Sequence, residues 1–204
     1  MAMTENNTPT ENMSASDSPC TQEGAETHWY AMRDLKRPNA REPAYKMLEA
    51  KGMEVYTPMT KRPVIKGGRK TFADAPFIPD LLFVYSGRDA LDAIVDRTPT
   101  LQYRYMRGGK YREPMTVRDA DMRRFMAIAH GSSRFRFYAA GEVSPAMYGR
   151  RIAIVGGDLD GYEGRLMTVR GSRVRRLIVE LEGLLAVGVE VQPEYIRLIG
   201  EQRR

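Results

Sequence analysis

From His28 onward the chain alternates between short apolar runs and helical stripes, whereas the first 26 residues hold almost no large apolar group. Trp29, Tyr30, Ala31 and Met32 read as a strand with apolar side chains on both pleat faces. Ala44, Met47 and Leu48 fall at i, i+3 and i+4, the stripe of an amphipathic helix, with Pro43 expected in its first turn and Gly52 as its stop. Met53 to Thr57 resume strand character until Pro58 interrupts it. Gly67-Gly68 marks a hairpin turn. Leu81 to Tyr85 is apolar at every position, so either structure covers both faces or one face is kept for a partner. Leu91, Ile94 and Val95 predict a short helix ending near Thr98-Pro99. Thr116 with Asp119 resembles a capping pair opening a helix whose stripe is Met122, Phe125, Met126 and Ala129 and whose end is Gly131.

This succession predicts an α+β unit over residues 27–130, an antiparallel sheet with flanking helices. Residues 131–145 are polar and irregular apart from RFRFY and read as a linker. From 146 to 200 the pattern becomes short β runs, RRIAIV, RLMTV, RRLIVEL and LLAVGVEV, punctuated by glycines. That rhythm predicts a small SH3-like β-barrel of five strands. The segment 1–26 cannot bury enough apolar surface to offset its ordering entropy, and is expected to be a disordered acidic tail.

Charge sharpens this picture. The segment 1–26 carries Glu5, Glu11, Asp17, Glu23 and Glu26 without Lys or Arg; removing that −5 from the chain total of +6 leaves +11 on residues 27–204. A folded part so basic points to a polyanionic neighbour, nucleic acid above all. The cations gather in three places: Lys36, Arg37 and Arg41 in a loop, Lys66, Arg69 and Lys70 around the hairpin tip, and Arg170, Arg173, Arg175 and Arg176 near the carboxy terminus. A solvated basic surface is the competing explanation for each.

Other chemistry finds little support. His28 and His130 are the only histidines, and neither lies in a metal-spaced or nucleophile-like cluster, so no catalytic residue, metal or cofactor is expected. Cys20 is the only cysteine, no apolar run reaches a membrane-spanning length, and no signal peptide is discernible, so a cytoplasmic monomer without membrane attachment is expected.

WYAMR, LEAKG, EVYTP, GGRK and PFIPDLLFV, in that order and spacing, resemble the amino-terminal domain of the NusG family of transcription elongation factors. GRRIAIVGGDLDGYEGRL resembles a KOW motif, carried on Gly149, Ile152, Ile154, Gly157, Gly161 and Gly164. YRYMR, REPMTVRDADM and GLLAVGVEV are closer to the specialised UpxY-like antiterminators of polysaccharide operons than to housekeeping NusG. The resemblance implies binding to the clamp helices of RNA polymerase through an apolar surface, here Tyr30, Ile78, Pro79, Leu81 and Phe83. It also implies contact of Lys36, Arg37 and Arg41, extended by Lys66, Arg69 and Lys70, with non-template DNA or nascent RNA. For the KOW domain it implies a ribosomal protein, a termination factor or RNA as partner. One departure stands out: the family's aromatic and glycine residues at the centre of the signature strand are replaced by Ile78, Pro79, Asp80 and Leu81. The alternatives are a housekeeping NusG and a ribosome-associated or RNA-binding KOW protein.

Overall fold

The structure is a computed structural model describing residues 26–36, 41–106, 108, 110–131, 134–144, 147–167, 174–181 and 183–199. The acidic segment up to residue 25, Arg37, Arg170 and Arg173 lie outside the described residues.

The apolar run at Trp29 lies in β1 (Thr27–Asp34) and the run at Leu81 in β5 (Leu81–Gly87), and the two pair antiparallel at the centre of the first sheet. Beside β5 lies β2 (Glu54–Tyr56); beside β1 lie β6 (Leu101–Tyr103) and β7 (Thr116–Val117). Side chains alternate across this sheet. Tyr30, Met32, Leu82 and Val84 face α1 (Ala44–Ala50) and α2 (Arg88–Val95), meeting Ala44, Leu48 and Leu91. Trp29, Ala31, Leu81 and Phe83 face α3 (Asp119–Gly131), meeting Met122, Phe125 and Ile128. Structure therefore covers both faces of the central strands, which answers the question posed by the non-alternating run in β5.

β3 (Met59–Lys66) and β4 (Arg69–Pro76) form a separate two-stranded ribbon. Its turn is Gly67-Gly68 at φ 58° and 75°, the doubly left-handed geometry that a two-residue hairpin requires and that glycine adopts without steric cost.

A second antiparallel sheet stands where the small barrel was expected. Its order is Ile196–Leu198 (β13), Tyr148–Ile154 (β9), Glu163–Met167 (β10), Arg176–Leu181 (β11), Leu185–Glu190 (β12), Phe135–Ala139 (β8). It has six strands because β8, inside the segment expected to be a linker, pairs with β12 from Phe135↔Val189 to Ala139↔Leu185. The RFRFY alternation is thus strand rather than connection. Phe137 turns inward and stacks on Phe125 of α3, ring centroids 5.8 Å apart at 17°, so one apolar cluster runs from the first sheet through α3 to Leu177, Val187 and Val189 of the second.

Two helix starts also differ from expectation. Pro43 is the N-cap of α1 rather than a residue of its first turn. Thr116 is committed to β7, opposite Tyr30, so it does not cap α3; Asp119 instead accepts a hydrogen bond from the Trp29 indole at 3.3 Å and pairs with Arg123 at 2.7 Å.

Candidate nucleic-acid interface

Two carboxylates organise one corner of the first sheet. Asp34, at the end of β1 and nearly buried, accepts from the Lys36 backbone N–H at 2.9 Å and from the Ala44 N–H at 2.7 Å. It thereby supplies the cap that Pro43 cannot, since the N-cap makes no side-chain hydrogen bond of its own. It also fastens both ends of the basic loop, which Lys36 Nζ closes further by donating to the Glu42 carbonyl at 2.8 Å. Asp80, in the turn before β5, accepts from Arg33 Nε at 2.9 Å and pairs with Arg104 Nη2 at 3.0 Å, while its carbonyl receives the Asp34 N–H at 3.0 Å. Burial lowers the Arg104 pKa, with the Asp80 charge opposing that shift. The residue that departs from the family pattern therefore clamps its turn to β1.

Around this corner lies a small cleft of about 50 Å³ that brings together Lys36, Tyr45, Thr57, Pro76 and Pro79. Pro79 is exposed and Ile78 half-buried, at the surface beside Lys36. The other three residues expected on a docking surface are buried, Leu81 at the floor of this cleft. Leu81 and Phe83 are 2% and 0% exposed beneath α3, and Tyr30 is buried on the opposite face, edge-on to Tyr103. The reason is the closure of both sheet faces: an apolar face that α3 covers has no surface left to offer. Of that set, only the Ile78-Pro79 turn is accessible.

The cations fall into two groups. Lys36 is half-exposed and Arg41 exposed, in the loop beside the cleft. Lys66, Arg69 and Lys70 are exposed at the ribbon tip, and no described carboxylate pairs with them. Lower on the ribbon, Lys61 is paired with Asp74 at 2.8 Å, and Arg62 donates to the Phe77 carbonyl at 2.9 Å. Arg176, expected in a carboxy-terminal basic edge, is paired with Glu190 at 3.0 Å.

The glycine-rich motif of the second sheet has a geometric basis. Gly157 and Gly161 have φ of 72° and 77°, and Asp160 accepts the Gly156 N–H at 2.6 Å, which ties the turn to itself. Gly164 lies where an added Cβ would stand 2.6 Å from the Ile178 carbonyl oxygen, and at Gly149 it would stand 2.8 Å from that of Leu166. Ile152 and Ile154 are buried.

The sequence reading missed Asp34 and Asp80. Apart from the Lys36 N–H two residues on from Asp34, their partners are separated from them by a loop or by many residues, and the local sign was an acid placed next to an apolar run. No helix of the described residues is long and apolar enough to cross a membrane.

Exposed cations thus lie on a loop and on the ribbon, around a sheet closed on both faces. Residues 27–126, about half of the chain, match the family described as NusG, "Transcription termination factor nusG". These residues are therefore similar to a NusG-family domain. The chain is also similar to a solved structure described as "Domain interaction in Thermotoga maritima NusG", with 17% identity and a TM-score of 0.43 over 86% of this chain and 98% of that one. The comparison with curated proteins gives no match.

Proposed function

We propose that this protein is a transcription elongation and antitermination factor of the UpxY-like branch, acting on a polysaccharide operon by binding RNA polymerase and suppressing pausing and termination. The observation that carries the reading is the NusG-family match over residues 27–126. The exposed Ile78-Pro79 turn, set beside Lys36 and held by Asp80, supports it as the accessible part of the polymerase contact. Leu81 and Phe83 serve this contact from beneath, in the cluster against which Ile78 packs, and Tyr30 supports the same strands from the opposite face. Lys36, Arg37 and Arg41, with the ribbon cations, attract phosphates of the non-template strand or the nascent RNA, which needs only positive charge within reach. The second sheet, carrying the KOW motif, docks a ribosomal protein or a termination factor. The factor works by binding the elongating polymerase better than the paused one, so no covalent chemistry is required.

The test is single-round transcription through a terminator and a pause site, using the source organism's own polymerase. Wild-type protein is expected to increase read-through, and Pro79→Glu, at an exposed position, to abolish it while leaving the melting temperature intact. Absence of any effect on native leader templates, with no retention on the polymerase, would overturn the proposal.

A further inference from the structure

The β3–β4 ribbon sorts its side chains into two unlike faces. Its register pairs Pro63 with Phe72 and Ile65 with Lys70. Alternation then places Met59, Lys61, Pro63 and Ile65 on one face with Lys70, Phe72, Asp74 and Pro76. On the other face lie Arg62, Val64, Lys66, Arg69 and Thr71. The outer half of the first face is apolar and open: Ile65 is 76% exposed and Phe72 71%, and the two are diagonal neighbours across the ladder. Neither belongs to any of the buried apolar clusters. Together they make an exposed apolar patch on the outer half of the arm, outside the core, and such a patch marks a candidate binding surface.

Charge decides which ligand. The ribbon carries Lys61, Arg62, Lys66, Arg69 and Lys70 against one acid, Asp74, and that acid is consumed by Lys61. An apolar protein surface would gain from Ile65 and Phe72 but not from three unpaired cations within two residues of the turn. A nucleic acid uses both features. Unpaired bases offer flat π-faces for Phe72, and their phosphates offer charge for the neighbouring cations. A duplex keeps its bases stacked on one another and offers the ring no such face.

We propose that the outer half of this ribbon is a stacking platform for unpaired nucleotides, in which a base lies against Phe72 and Ile65 while Lys70 on the same face, with Lys66 and Arg69 reaching round the tip from the other, attracts the flanking phosphates. The proposal rests on the nucleic-acid contact named above and specifies it as single-stranded, made by stacking as well as by charge.

The experiment measures fluorescence anisotropy of the full chain at low salt against an oligothymidylate, an oligouridylate of equal length and a DNA duplex. Phe72→Ala is expected to weaken both single strands about tenfold, the scale of losing one base–aromatic stack, and to leave the duplex within about twofold. Phe72→Trp restores single-strand binding. Lys66→Glu with Arg69→Glu weakens all three probes and flattens their salt dependence. A larger loss on DNA than on RNA, or the reverse, identifies which strand the platform takes. Unchanged single-strand binding by Phe72→Ala, or an equal loss on the duplex, would overturn the proposal. So would loss of polymerase retention by Phe72→Ala with nucleic-acid binding intact, since the patch would then be a protein contact. Phe72 is exposed, so folding is not at stake, and unchanged melting verifies this. A wild-type chain that stacks single strands but ignores polymerase would sink the functional reading and spare this one; a chain that drives read-through with Phe72 inert would do the opposite.

Discussion

Removing the Asp34 carboxylate tests whether the basic loop is positioned by a nearly buried acid. Asp34 is 8% exposed, and its two oxygens accept the Lys36 and Ala44 backbone N–H groups at 2.9 and 2.7 Å. A hydrogen bond to a charged group contributes about 1.5–3 kcal/mol, and loss of a helix cap alone costs about 0.5–2 kcal/mol. The two bonds share one carboxylate and do not add fully. The Lys36 amide also lies near solvent and regains part of its loss from water. Asp34→Ala should therefore destabilise the protein by about 2–4 kcal/mol. For a chain of this size that lowers the melting temperature by about 5–12 °C. Asp34→Asn keeps the shape but has one acceptor oxygen, and its amide nitrogen must face one of the two N–H donors, so it should fall between Ala and wild type. Thermal melting followed by circular dichroism reads the stability. Amide hydrogen exchange reads the mechanism, because protection at Ala44 should drop well before that of the β1–β5 ladder. An Asp34→Ala protein melting within about 2 °C of wild type would refute the argument, as would unchanged protection at Ala44.

Three further outcomes are expected. Gly164→Ala should destabilise the second sheet by about 1–3 kcal/mol, seen as a lower urea midpoint, because the new Cβ would stand 2.6 Å from the Ile178 carbonyl oxygen, which belongs to a strand and cannot give way. Tyr148, pushed up to about 12 by burial and by its hydrogen bond to Glu180, holds its proton more tightly folded than unfolded. Its contribution is full below about pH 10 and is lost as pH rises towards 12, so Tyr148→Phe should flatten the alkaline fall in stability across that window. Asp92 is raised by burial, but hydrogen bonds from the Tyr103 hydroxyl at 2.6 Å and from Arg88 outweigh this and hold it below the ordinary carboxylate value. Its contribution is present above about pH 4 and is lost as pH falls; Tyr103→Phe should move the Asp92 titration, followed by carboxyl NMR, to higher pH.

Features whose cause is local were legible in the sequence. The Gly67-Gly68 turn fixed the ribbon and its register, and Ala44, Leu48 and Gly52 marked α1 within a residue or two. Strand β8 was harder to read because its partner lies about fifty residues downstream, in Leu185–Glu190, and its flanks are polar. The alternation of Arg and Phe was visible there, but nothing local distinguishes a short strand from a connection. For β5 the sequence showed that both faces were apolar and could not say what covered each. At that point the expected docking residues Leu81 and Phe83 prove to be packed against α3. Asp34 and Asp80 were out of reach for a different reason: their roles are set by which backbone N–H and guanidinium groups the fold brings to them, and residue type carries no record of that.

The ribbon has a consequence for how this protein tolerates change. Its strands are held by the backbone ladder and a glycine turn, and its outer side chains bear none of the load of the apolar core. Substitutions between Pro63 and Phe72, the Gly67-Gly68 turn excepted, alter what the arm touches without altering whether the domain folds. Folding and recognition are therefore written in separate stretches of one short sequence, and a change of preferred ligand can accumulate in the arm one residue at a time, each intermediate as sound as the last.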